Sequence, residues 1–264
     1  MALGIVTLTT DFGLRDHYAG VMKGVIASIH PAANVVDICH EARPFCVAQG
    51  AFFIAQAYRF FPRGTVHIVV VDPGVGSSRR ALLAEAAGQY FVAPDNGVLS
   101  QVWEREAHTV RAIDIARHAL TPSSNTFHGR DVFAPVGARL SKGDESEGFG
   151  SVIEDYVRLE PAGPTCRKPG RWQGRILNID RFGNLVTSFP AELLRDSPGP
   201  IEVAAGKLTT RILRQDYATA APGQAFVIAG SAGYLELSIN QGSAAEAAGA
   251  DIGDATELTV TQRS

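Results

Sequence analysis

Apolar positions in the first seventy residues fall into blocks of two kinds. Residues 4–10 (GIVTLTT), 34–39 and 66–71 are nearly continuous runs rich in β-branched side chains. Runs of this length read as strands buried on both faces. Between them the period changes. Tyr18, Val21, Met22, Val25, Ile26 and Ile29 share one face of a helix predicted over 16–30, with Asp16 as its N-cap and Pro31 closing it. Ala48, Ala51, Phe52, Ala55 and Tyr58 share one face of a second helix over 47–60, with Pro62 beyond its end. Alternation of strand and helix predicts a parallel sheet. Further on, 81–86 and 90–93 around Gly88-Gln89 predict a hairpin, Asn96-Gly97 a turn, 110–115 a strand and 129–140 a helix.

The pattern breaks at GDESEGFGS (143–151) and again at EPAGPTCRKPG (160–170). A domain boundary placed between them gives an N-terminal domain over 1–160 and a C-terminal one over 161–264. The second part reads as strands over 174–189, 201–213, 225–229, 234–240 and 256–262, with Gly223 and Gly233 at turns and one short helix over 243–249. The expected fold is an α/β N-terminal domain with a mostly parallel central sheet, plus a smaller all-β, barrel-like C-terminal domain.

The chain has 264 residues, 45% of them hydrophobic, enough for a sizeable core and too many for a disordered chain. A net charge of −3 gives no basic footprint for nucleic acid. The apolar start, 3–8, is too short and uncharged for a signal peptide, and no run approaches the ~20 residues of a membrane helix. Cys39, Cys46 and Cys166 are odd in number and match no zinc spacing, which fits a reducing cytoplasm. No internal repeat is visible.

The chemistry concentrates in four places. In HIVVVDPGVGSSRR (67–80) a buried strand ends at Asp72, and ligands of parallel sheets bind beyond the carboxyl ends of strands. Pro73 stops the ladder, Gly74 and Gly76 allow a tight turn, and Arg79 brings a permanent charge back toward the carboxylate. TTDFGLRDHY carries Asp11 and Asp16, NTFHGRD carries His128, and NIDRFGN carries Asp180, Phe182 and Asn184. Each alone has a plainer reading: turn and cap aspartates, an Asp-Pro turn with a surface arginine, a structural histidine, turn formers with a core aromatic. GVGSSR lacks the third glycine of a dinucleotide loop and the Lys-Ser/Thr of a P-loop. The seven histidines form neither HxH nor HExxH, no Gly-x-Ser-x-Gly elbow exists, and neither Cys39 nor Cys46 lies in a nucleophile signature.

Taken together, TTDFG…DHY, DPGVGSSRR, APDNG, TFHGRD, IDRFGN and GSAGYLELSINQG, in this order over about residues 4–262, resemble the S-adenosyl-L-methionine hydroxide adenosyltransferases. These are also called S-adenosylmethionine hydrolases (adenosine-forming), and are relatives of fluorinase and chlorinase. The resemblance implies an α/β domain followed by a β-barrel domain, and a homotrimer with each site shared between the N-terminal domain of one subunit and the C-terminal domain of the next. It implies a small-molecule substrate, S-adenosylmethionine, and no cofactor. The family's catalytic Asp-Arg-His set falls on Asp72, Arg79 and His128. Asp11 matches the group on the ribose hydroxyls; Asp16, Asp180 and Ser231 match groups around the methionine amine and carboxylate. Phe45 stands where an aromatic lies against the ligand, Phe182 and Asn184 match residues at the adenine, and Tyr217 is a further stacking candidate. Where the halogenases have a tyrosine this chain has Asp72, and where fluorinase has its fluoride-holding serine it has Gly129; both changes favour water. Where fluorinase has an arginine for the methionine carboxylate it has Ala232, so that partner is unidentified.

The implied leaving group is a neutral thioether and needs no acid. An ordinary carboxylate (pKa ~3.9) against water (pKa ~15.7) faces a gap of about 16 kcal/mol, so Asp72 does not make free hydroxide in advance. Two routes stay open: proton loss concerted with attack, or electrostatic support of hydroxide by Arg79 and His128. Halide transfer and adenosine or S-adenosylmethionine binding without turnover are the competing functions.

Overall fold

In the computed structural model, which describes residues 4–194 and 199–261, the apolar blocks of the first half become the centre of one seven-stranded sheet. The elements are β1 (Ile5–Thr10), α1 (Tyr18–Ile29), β2 (Asn34–Cys39), α2 (Val47–Ala57), β3 (Val66–Val70), β4 (Ala81–Ala86), β5 (Gln89–Pro94), α3 (Ser100–Trp103), β6 (His108–Ile113), α4 (Ile115–His118), α5 (Ala134–Lys142) and β7 (Gly150–Val152). A single π turn, Gly129–Phe133, leads into α5. The sheet order is β2-β1-β3-β5-β4-β6-β7. Side chains of β3 alternate between two cores, as a period of two demands. Ile68 and Val70 meet Met22, Ile26, Val136 and Leu140 of α1 and α5 on one face. Val69 meets Ile54, Leu99 and Val102 on the other.

The sheet is mixed, which corrects the expectation of a mostly parallel one. The pairs β1–β2, β1–β3 and β3–β5 are parallel, while β4–β5, β4–β6 and β6–β7 are antiparallel. The cause is the β4–β5 hairpin. Its tip is Ala87-Gly88, with φ of 54° and 73°, so a two-residue turn reverses the chain where a crossover helix would have kept it parallel. Gln89, expected in that turn, opens β5. A second correction concerns α1. It begins at Tyr18, His17 holds the N-cap position without a side-chain hydrogen bond, and Asp16 lies exposed before it. The helix is fixed by burial of Ala19, Met22 and Ile26 rather than by a cap. The one polar residue inside β3, His67, is fully buried between the Thr7 hydroxyl at 2.7 Å and the Gln89 amide oxygen at 3.4 Å. Burial pushes its pKa down to about 4, so it is neutral.

The first unit ends at Glu160 and the second begins at Pro161. The second contains β8 (Thr165–Lys168), β9 (Arg171–Ile179), β10 (Leu185–Pro190), β11 (Ile201–Ala205), β12 (Leu208–Thr210), β13 (Ala225–Ala229), β14 (Tyr234–Ile239), α6 (Ala244–Ala248) and β15 (Ala255–Val260). Its sheet runs β12-β11-β15-β9-β10-β14-β13, with β8 on β9. The strand pairs are antiparallel, and the outer edges approach each other. Val227 N–H donates to Ile212 O at 2.7 Å, and Arg214 N–H to Val227 O at 3.0 Å, which brings the sheet near to a closed barrel. Ile176, Phe189, Val203, Leu235, Leu237 and Leu258 fill its core.

Two predicted strands prove to be hairpins. The run 174–189 folds back at 180–184, and 201–213 folds back at Gly206. The predicted boundaries at Leu3 and Gln262 lie outside the described residues. Among those described, no helix is long and apolar enough to cross a membrane.

A loop contact in the first unit brings two distant segments together. Gly76, in the β3–β4 loop, has φ 79°, and a Cβ there would overlap the carbonyl oxygen of Asn125. Only glycine lets the segment leading to His128 come this close to the loop that carries Asp72 and Arg79. We expect Gly76→Ala to lower stability by at least about 1–2 kcal/mol for the left-handed backbone alone. Urea unfolding is the check, and an unchanged midpoint would count against this account of the loop.

Candidate active site

β1 and β3 are parallel neighbours paired Thr10 to Val70, so the residues just past their ends emerge together. Asp11 follows β1 and Asp72 lies two residues past β3. A cleft of about 380 Å³ opens there, at the carboxyl edge of the sheet, lined by Asp11, Phe12, Tyr18, Phe45, Asp72, Val75, Phe127 and His128 among others. Phe12, Tyr18 and Phe127 form an aromatic wall with ring centroids 5.1–5.9 Å apart.

Arg79 returns from the loop to grip Asp72 with both arms of its fork. Nε donates to Oδ1 at 3.0 Å and Nη2 donates to Oδ2. The same Nη2 donates to His128 Nδ1 at 2.8 Å. The guanidinium lies over the Phe133 ring, 5.3 Å from its centroid. Both side chains of the ion pair are buried, Asp72 4% and Arg79 9% exposed. An arginine only donates, so His128 Nδ1 must be an acceptor and the imidazole proton sits on Nε2. Burial, and then the Arg79 charge, push the His128 pKa below its usual value, while Asp72 and Asp131 pull the other way. His128 therefore stands as a neutral ring with one N–H to give.

Asp11 is half-buried beside this set. Its Oδ2 accepts from Phe45 N–H at 2.8 Å. Burial raises its pKa, the Phe45 hydrogen bond opposes that, and the Asp72 charge adds to the rise. Phe45 is held at φ 67°, rare for a residue with a side chain, and its ring is 72% exposed.

A second cleft, of about 750 Å³, lies wholly in the second unit. Asp180, Phe182, Asn184, Tyr217 and Ser231 line it, with Ile228, Glu236, Ile239 and Gln241. Asp180 acts as a turn former here. Its Oδ1 accepts from the backbone of Phe182 and of Asn184, each at 2.9 Å, and its Oδ2 from Asn184 Nδ2 at 2.8 Å. The turn so fixed presents Phe182 at 78% exposure. The turn-former reading of NIDRFGN fits Asp180, while Phe182 is not the core aromatic of the plainer reading.

The predicted set divides between two places. Asp11, Phe45, Asp72 and His128 meet in the first cleft with Arg79 behind them; Asp180, Phe182, Asn184, Tyr217 and Ser231 meet in the second. Asp16 is exposed and lines neither. Sequence reasoning missed Glu236, a charged residue inside the strand pattern YLELSI, where an acid between two core leucines is the available signal. It also took Tyr18 for a helix-core residue. Among the described residues, no three His, Cys, Asp or Glu side chains are grouped to hold a metal ion.

His128 carries a pH prediction. Its folded pKa lies below the ordinary 6.5, so on acidification the unfolded chain takes up a proton that the folded one refuses. Stability contributed by the neutral ring is lost as pH falls through about 6.5. In an NMR titration the His128 midpoint should lie below 6.5. Asp72→Asn, which removes the opposing negative charge, should lower it further; a rise would contradict the assigned geometry.

Comparison with known proteins gives the same division. The family model for the SAM hydroxide adenosyltransferase N-terminal domain matches residues 6–150, and that for the C-terminal domain matches 174–257. A Thermus thermophilus protein named (R)-S-adenosyl-L-methionine hydrolase is 37% identical over 254 residues, covering 92% of this chain and 95% of its own. A Salinispora tropica protein of the same name is 32% identical over 257 residues, covering 96% and 97%. A crystal structure of an uncharacterised conserved protein from Thermotoga maritima superposes with a TM-score of 0.88 at 37% identity, covering 97% of this chain and 99% of that one. With both domain models matched in order across the two units, the chain belongs to the SAM hydroxide adenosyltransferase family.

Proposed function

We propose that this protein hydrolyses S-adenosyl-L-methionine to adenosine and L-methionine. A water oxygen forms a bond to the ribose C5′ as the C5′–S bond breaks, and that electron pair leaves on sulfur as a neutral thioether. The observation that carries the reading is the Asp72–Arg79–His128 constellation at the floor of the first cleft. Arg79 uses Nε and Nη2 inside the constellation, so it orients the other two. Asp72 offers remaining acceptor capacity for a water proton, and His128 Nε2–H offers a donor to the same water's oxygen. His128 is not the base, because its Nδ1 lone pair is already engaged. Of the two routes, this favours proton transfer to Asp72 concerted with attack, the proton then passing to solvent. Alignment of the water with C5′ contributes further, up to ~7–11 kcal/mol where reacting groups are well oriented.

Asp11 suits the ribose diol: one carboxylate oxygen is tied to Phe45 N–H, and the group as a whole only accepts. The second cleft suits a flat base, with Phe182 exposed and Tyr217 across a largely apolar floor. Each cleft has half of what the reaction needs. We therefore place complete sites in a homotrimer, each joining the first cleft of one subunit to the second cleft of a neighbour. The reaction as written needs no cofactor. Three free cysteines support a cytoplasmic, reducing location.

The test is incubation with S-adenosylmethionine in ¹⁸O-water, with and without chloride, followed by mass spectrometry. Label at the adenosine 5′-oxygen is expected; a 5′-chloro product or binding without product would replace this reading with halide transfer or a sensing role. Asp72→Asn, with folding verified by circular dichroism, should lose about 10²–10⁴ in kcat. Wild-type turnover in that variant would remove Asp72 from the mechanism. Light scattering should give the mass of three chains, and an active monomer would refute the shared site.

A further inference from the structure

The Asp11 carboxylate is held where two forces oppose its charge. It is half-buried, and the Asp72 charge disfavours it further. A carboxylate so placed turns toward solvent unless its backbone is fixed. The group that fixes it is His40, just past β2, which the mechanism has not used. Its side chain is 2% exposed. Nδ1 shares a hydrogen bond of 2.8 Å with Oγ1 of Thr10, the fully buried residue before Asp11. The same Oγ1 accepts at 3.2 Å from the N–H of Phe12, the residue after Asp11. The His40 carbonyl accepts from Gly13 N–H at 2.7 Å. One residue thus grips the chain on both sides of Asp11. The loop that follows it reaches Phe45, whose N–H donates to Asp11 Oδ2.

Behind His40 the contacts continue. Nε2 lies 3.0 Å from Asp37 Oδ1, and Asp37 Oδ2 accepts from Lys23 Nζ at 2.6 Å. Burial pushes the Asp37 pKa up, but Lys23 and His40 outweigh it and hold the carboxyl below its ordinary value. A carboxylate only accepts, so Nε2 carries the ring hydrogen and Nδ1 of the neutral ring takes the Thr10 hydroxyl hydrogen. That turns the Thr10 lone pairs toward Phe12 N–H. Acid, imidazole and hydroxyl stand in the order of a hydrolytic triad, but Thr10 has no exposed surface with which to meet a substrate. The order serves orientation instead. We propose that His40 is a positioning residue, which acts through Thr10 to aim Asp11 at a ribose diol. This rests on the reading given above, in which Asp11 accepts from that diol.

The experiment is calorimetric binding of adenosine and 2′-deoxyadenosine to the full chain, with folding verified by circular dichroism. Wild type should prefer adenosine by roughly tenfold or more, the scale of one hydrogen bond to a charged group. His40→Gln carries its amide as many bonds from the backbone as Nε2, so it leaves Thr10 without its partner. Its preference should fall to about threefold or less, because a hydrogen bond weakens steeply once its acceptor is misdirected. His40→Asn carries its amide where Nδ1 stands, so it keeps the Thr10 contact and should keep the preference. Thr10→Val should match His40→Gln, and Thr10→Ser should match wild type; this pair carries the test if the His40 variants fold poorly. An unchanged preference in folded His40→Gln or Thr10→Val overturns the proposal. So does an equal loss of affinity for both nucleosides, the mark of a purely structural residue, and so does equal binding of the two by wild type. S-adenosylmethionine turnover in the same preparations separates the two readings. A diol preference that depends on His40, without turnover, removes the hydrolase and keeps the positioning residue; turnover with a preference indifferent to His40 does the reverse.

Discussion

The Arg79 guanidinium holds the first cleft together. Among the described residues it is the one group hydrogen-bonded to both Asp72 and His128, and it is buried with the carboxylate it grips. Taking away one partner of such a pair leaves a charge uncompensated, at a cost of about 3–5 kcal/mol. The planar fork also fixes orientation: it presents the carboxylate edge-on and sets the imidazole tautomer. Lysine, a point charge, would do neither. The geometry of this floor therefore depends on an arginine that holds both other groups.

The two clefts solve different problems with different backbone. The first sits at the ends of parallel strands, where Asp11 and Asp72 emerge side by side and loops can be drawn in around them. It is small, and two acids and a neutral histidine line it. The second lies on a face of antiparallel strands, where a tight Asp-turn props an aromatic ring outward and a long-range pair, Tyr217 and Glu236, closes the floor. Strain marks the first cleft, at Phe45. Hydrogen bonds made in advance mark the second, where Asp180 has three donors before any ligand arrives. Both are ways of fixing side chains before binding, which is what selective recognition requires.

The division into an α/β part and a β part was readable because it depends on local periodicity. β1, β2, β3 and α2 lie where the apolar runs put them. What failed was whatever turns on a partner distant in sequence. The β4–β5 hairpin was legible with its tip one residue away; what the local pattern did not show is that this hairpin joins the same sheet as β3, which made the sheet mixed. The runs 174–189 and 201–213 read as single strands although Asp180, Gly183 and Asn184 in the first and Gly206 in the second are turn residues; strand pairing shows that they reverse there. Asp16 has the composition of an N-cap, yet burial of the α1 stripe set the start of the helix at Tyr18.

The candidate site divides in the same way. Residue type and position after a strand were enough to single out Asp11, Asp72 and Arg79, because a strand end and a Gly-rich turn are local events. Sequence order alone made His128 more readable as a structural histidine than as a catalytic one, and it gave no reason to choose Glu236. Those assignments depend on distances across the fold: Asn125 resting on Gly76, one guanidinium nitrogen bridging a carboxylate and a ring, a hydroxyl meeting a glutamate nineteen positions away. The chain by itself determined which elements form and which polar groups stand at their ends, since these are set by short-range periodicity and turn chemistry. Only the folded structure decided which of those groups share a cleft and what each has left to offer a ligand, since hydrogen-bond capacity is taken up through contacts between residues far apart in sequence.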